Sequence, residues 1–154
     1  MTPFELGQRF VGEIREQPGA VDHPFVQWAF SLCAGYGLDE PDETPWCSAW
    51  LNAVCWLLRR PRSKSAAARS WLAVARGVGL ADAQIGEDII VLSRGLGPQP
   101  GPETLAAPGH VGLYAGRDEA GRVLVLAGNQ GQGVSVAAFP VTRILGIRRL
   151  RESA

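Results

Sequence analysis

Three residues of this chain have the chemistry to break an amide bond: Cys47, His110 and Asn129. A cysteine thiolate is a strong nucleophile, a histidine exchanges a proton near neutral pH, and a polar side chain can fix which ring nitrogen does so. Cys47 follows Thr44-Pro45-Trp46. Thr44 suits a helix N-cap and Pro45 the first helical position, so a helix is expected to open here with Cys47 in its first turn. Unpaired N–H groups and the positive end of the helix dipole are expected to lower the thiol pKa there. The alternative for Cys47 is a small apolar core residue, which is the better reading of Cys33 and Cys55: one closes a helix, the other lies deep in an apolar stretch.

A nucleophilic cysteine needs a base, and the chain has two histidines. His110 opens the run His110-Val111-Gly112-Leu113-Tyr114 directly after a Pro/Gly-rich segment, where a rigid strand end can face a cleft. His23, in Asp22-His23-Pro24, reads as a helix cap or loop residue. If the runs 111–115 and 123–127 form a hairpin turning around 118–121, His110 faces Gly128 or Asn129, to within a residue or two. The Asn129 side-chain oxygen could then accept a hydrogen bond from one imidazole nitrogen and leave the other for Cys47. A surface histidine at a strand end and a turn asparagine in Gly128-Asn129-Gln130-Gly131 are the alternatives, and the coincidence of all three residues argues against them.

The elements that would hold these groups read as helices before Gly77 and short strands after it, an α+β pattern. Phe4, Leu6, Phe10, Val11 and Ile14 can share one helix face, and Phe25, Trp28, Ala29 and Leu32 another. Trp50, Leu51, Val54 and Leu58 continue the stripe of the cysteine helix to Arg59-Arg60-Pro61. Ser65 can cap a fourth helix running through Trp71 and Leu72 to Gly77. The runs 89–92, 111–115, 123–127, 134–137 and 144–148 predict a mostly antiparallel sheet. The segment 95–109 carries four prolines, so it is a loop, and its length hints at a function.

At 154 residues and 46% hydrophobic, the chain is expected to be a single domain, 1–154. Fifteen basic and fifteen acidic residues give zero formal net charge, which speaks against nucleic acid as a partner. The basic groups at Arg59, Arg60, Arg62 and Lys64, and at Arg143, Arg148, Arg149 and Arg151, read as solvated loop and edge charges. Three cysteines without a Cys-x-x-Cys pair predict neither a disulfide framework nor a zinc site. No secretory signal or membrane span is expected.

The segments Asp42-Glu43-Thr44-Pro45-Trp46-Cys47-Ser48-Ala49, Ala68-Arg69-Ser70-Trp71-Leu72, Gly86 to Leu92, Gly109-His110-Val111-Gly112 and Gly128-Asn129-Gln130, in that order, resemble the papain-like bacterial and phage cell-wall hydrolases of the NlpC and CHAP superfamily. The resemblance covers nearly the whole chain. It implies a papain-like α+β domain, with N-terminal helices on a mostly antiparallel sheet, that cleaves an amide bond of peptidoglycan. The bond would join muramic acid to L-alanine or lie within the stem peptide. Cys47, His110 and Asn129 map onto the catalytic cysteine, histidine and polar third residue. Trp46 is expected to line the groove or pack in the core, and Glu43 and Gln130 to flank the cleft and bind the peptide stem.

Many NlpC relatives have a second histidine where this chain has Asn129. Several CHAP relatives bind calcium, but Asp39-Glu40-Pro41-Asp42-Glu43 lacks regular ligand spacing, so no metal or cofactor is expected. With no signal peptide, a wall substrate implies indirect export through a phage holin, a phage tail or a secretion system, with a delivery or immunity protein as a possible partner. The rival readings are a non-catalytic wall-binding or virion structural module, and a cysteine acyltransferase or deamidase acting on proteins.

Overall fold

The computed structural model describes residues 1–16, 22–42 and 44–152. Three short α-helices precede the sheet: α1 (Pro3–Gln8), α2 (Pro24–Ser31) and α3 (Cys47–Leu58). Local chemistry starts the first two. Thr2 and Glu5 form a capping box ahead of Pro3, with Glu5 N–H donating to Thr2 Oγ1 at 3.2 Å and Thr2 N–H to Glu5 Oε2 at 2.8 Å. His23 caps α2, its Nδ1 accepting the Phe25 N–H at 3.1 Å, with Pro24 at the first helical position. The capping role expected of His23 is the one it has. The third helix ends at Arg59, which adopts a left-handed φ of 56°, two residues before Pro61.

The sheet has six strands: β1 (Arg76–Val78), β2 (Asp88–Ser93), β3 (Gly109–Arg117), β4 (Val123–Gln130), β5 (Gly133–Phe139) and β6 (Ile144–Arg149). They lie in the order β1-β6-β2-β3-β4-β5, and every pairing is antiparallel. The fold is therefore α+β with an antiparallel sheet, as helices in the first half and strands in the second predict. No helix among the described residues is long and apolar enough to cross a membrane.

Period-2 alternation along the strands divides the core in two. Ile89, Val91, Val111, Leu113 and Leu126 face the helices and pack with Phe30, Trp46, Trp50, Leu51, Val54 and Trp71. Ile90, Leu92, Tyr114, Val125, Ala127 and Ile147 form the opposite face, partly covered by Val78, Leu80, Phe139 and Ile144. The α3 helix is buried from Cys47 through Cys55, and each Leu or Val so enclosed contributes roughly 1.5–3 kcal/mol.

Its polar residues are satisfied inside. Ser48 Oγ donates to Ser65 O at 2.6 Å and accepts the Trp71 indole N–H at 2.9 Å. Asn52 donates to Ser48 O and accepts from the Lys64 N–H. These bonds fasten the segment after α3 back onto it.

The expected fourth α-helix is a 3-10 helix over Ala68–Ala73, followed by β1 where the helix would have continued to Gly77. The reason is tertiary. Arg148 donates to the carbonyls of Val74 and Ala75, Ala75 takes a left-handed φ of 58°, and Gly77 pairs with Arg148 on β6.

Candidate active site

Cys47 is the first residue of α3. Its N-cap is Trp46, not Thr44, and an indole offers no oxygen to the orphaned N–H groups of the first turn. The N–H groups of Cys47 and Ser48 turn to the sulfur instead, and the Val111 N–H of β3 joins them. The thiol is 3% exposed. Burial raises its pKa above the ordinary value and outweighs those N–H groups and the Arg94 charge. The helix terminus thus does not produce the lowered thiol pKa expected of it, because desolvation is the larger effect.

His110 stands next to Val111 at the start of β3, opposite Leu92 of β2. Its ring lies tilted against Phe139, with centroids 5.6 Å apart. It is 6% exposed, and burial lowers its pKa. A bond to Gln130 opposes that shift, while the Arg94 and Arg143 charges add to it. The resting site accordingly holds a neutral thiol and a neutral imidazole.

The imidazole's partner is Gln130, not the expected Asn129. Gln130 Oε1 lies 2.8 Å from His110 Nε2, while the Gln130 amide nitrogen donates to Val125 O at 3.1 Å and Ser135 O at 2.7 Å. With both amide hydrogens so placed, the oxygen must face the ring. Nε2 of His110 therefore carries the proton and Nδ1 keeps the lone pair.

A β-bulge explains the exchange. Ala127 pairs with Ser135 and Gln130 with Gly133, so β4 spends three steps where β5 spends two. Asn129 occupies the left-handed region at φ 58°, a conformation asparagine tolerates. The extra residue turns Gln130, rather than Asn129, onto the His110 face.

Asn129 and Gln130 still share a cleft of about 290 Å³ with Arg94, His110, Phe139 and Arg143. Arg143 is fixed there: its Nε and Nη2 donate to Ser93 O at 3.0 and 2.7 Å, and its guanidinium lies 5.0 Å from the Phe139 ring centroid. Cys47 does not line this cleft, and no hydrogen bond joins it to His110. The two residues meet through the backbone at Val111.

Trp46 belongs to the core and not to a groove. It is 0% exposed, donates to Glu16 Oε1 at 3.1 Å and lies over Gly128, where a Cβ would come within 2.6 Å of its Cζ3. Glu43 lies outside the described residues. Among those described, no three His, Cys, Asp or Glu side chains converge to hold a metal ion. The basic clusters are less solvated than expected. Arg60 pairs with Glu87 and Arg149 with Asp88, both at 2.7 Å and largely buried.

Sequence patterns miss Arg69. Fully buried without a carboxylate, it donates from Nε to Pro108 O and from Nη1 to Pro100, Gly101 and Thr104 O. It thereby pins the long Pro/Gly loop that delivers the chain to His110. Its neighbour on β3 is Gly109, whose Cβ would lie 3.0 Å from Arg69 Cγ. No family model, curated protein or solved structure matches the chain.

Proposed function

We propose that this chain is a papain-like cysteine hydrolase of the NlpC/CHAP type that cleaves an amide bond of peptidoglycan, as an N-acetylmuramoyl-L-alanine amidase or a stem-peptide endopeptidase. The observation that carries the reading is the Gln130–His110 bond, which leaves Nδ1 as a basic nitrogen one residue from the N–H that meets the Cys47 sulfur. In this mechanism Nδ1 takes the thiol proton as sulfur bonds to the scissile carbonyl carbon. Main-chain N–H groups at the start of α3 stabilise the resulting oxyanion. The imidazolium returns the proton to the amine as the C–N bond breaks. Water, deprotonated by the same nitrogen, then attacks the thioester carbon, and the C–S bond breaks as the imidazolium returns the proton to the Cys47 sulfur. Delivery to the wall would run through a holin, a phage tail or a secretion system, and peptidoglycan would be the partner.

A second reading, a non-catalytic wall-binding module, is favoured by the buried thiol with its raised pKa and by the lack of a Cys47–His110 hydrogen bond. Digestion of purified sacculi with the wild type and Cys47→Ala, followed by mass spectrometry, separates the two. New muropeptides released by the wild type alone support the hydrolase, and their masses name the bond. Sacculus binding without release by either protein supports the module.

A further inference from the structure

We propose that the cleft beside His110 binds a carboxylate of the acyl substrate between Arg94 and Arg143. This deepens the hydrolase reading and rests on it for the role of the site. The cleft wall carries two guanidinium groups and no Asp or Glu. Among the described residues neither Arg94 nor Arg143 forms an ion pair with a carboxylate, as Arg60, Arg76, Arg122 and Arg149 do. Arg143 is already ordered by Ser93 O and the Phe139 ring, so it loses little freedom in gripping a ligand with its remaining N–H groups. Arg94 follows Ser93 directly and is exposed, so both cations emerge from one point of the cleft rim.

The pair has a cost for the chemistry that a carboxylate would remove. Both charges act on His110 and oppose formation of its imidazolium, the state general-base catalysis requires. A substrate carboxylate seated between them offsets that repulsion when the acyl group is in place. Amidation of such a carboxylate would remove the charge that the two guanidinium groups meet, so the cleft would prefer the free acid.

The test uses the folded Cys47→Ala protein and two probes, L-alanyl-γ-D-glutamic acid with its α-carboxylate free and the same dipeptide as its α-amide. Binding and the His110 ring resonances are followed by NMR. The free acid is expected to bind about tenfold tighter than the amide and to raise the His110 pKa, and Arg94→Gln and Arg143→Gln each to erase that preference. The proposal is overturned if acid and amide bind alike, if neither binds, or if the preference survives in either arginine variant. Should the preference hold while wild-type protein releases nothing from sacculi, the carboxylate site stands and the hydrolase reading fails.

Discussion

Gln130 Oε1 lies 2.8 Å from His110 Nε2, and the amide nitrogen of the same side chain is held by two carbonyls. Gln130 is thus a positioning residue that sets the tautomer of the ring. Gln130→Ala is expected to lower kcat by on the order of 10²-fold, the low end of what a placed general base contributes. Gln130→Glu should retain turnover but move the acid limb of its pH profile upward, since a carboxylate favours the imidazolium. Asn129→Ala should leave kcat nearly unchanged and cost about 1 kcal/mol of stability, because alanine is strained in the left-handed region. Turnover and urea midpoints of the three variants check this.

Stability should peak between the pH ranges in which the unfolded chain titrates its histidine and its thiols. Burial lowers His110 below the ordinary value of about 6.5, so just under that pH the unfolded chain binds the extra proton. Stability is then complete above about 6.5 and is lost as pH falls through it. Burial raises all three thiols, Cys33 to about 11. Unfolded thiols ionise near about 8.5, so stability should decline as pH rises past that value. Urea midpoints from pH 5 to about 10 test the curve, and His110→Gln should flatten its acid side.

Alkylation separates burial from helix-dipole activation at Cys47. A thiol with a raised pKa is expected to react with iodoacetamide at pH 7 at least about tenfold slower than a free cysteine, and faster only as pH climbs. Mass mapping of the modified cysteines reads the rate at each one. Rapid alkylation of Cys47 at neutral pH would show that its first-turn N–H groups outweigh desolvation.

The residues that repeat a pattern were legible in the sequence, and those set by one tertiary contact were not. Ile89 to Leu92 and Val123 to Ala127 are short, bounded by turn residues and rich in β-formers, and they are strands whose buried side chains divide between two apolar faces. Arg76-Gly77-Val78 has no such pattern and is a strand because β6 supplies its partners. The Gln130–Asn129 exchange hangs on a single bulge, an insertion that hairpin counting from the turn does not register. Trp46 reads equally well as groove or core until Gly128 is seen to leave room for its ring. Desolvation of Cys47 follows from β3 closing over α3, a contact between distant segments.

Arg69→Met keeps much of the buried stem and removes every bond to the Pro/Gly loop. Losing these charge-assisted bonds is expected to cost about 2–4 kcal/mol. Limited proteolysis should then open the loop near residues 100–104 while β2 and β3 stay protected. An uncut loop in the folded variant would show that the loop is held by its own packing.

All four acceptors of Arg69 are main-chain oxygens. The anchor reads the path of the loop and ignores the identity of its side chains. Leu96, fully exposed at its tip, and Leu105 further along contribute nothing to that grip. The loop can therefore diversify in sequence without loosening its hold. That makes residues 95–107 the natural place to graft new recognition onto the rim of this site.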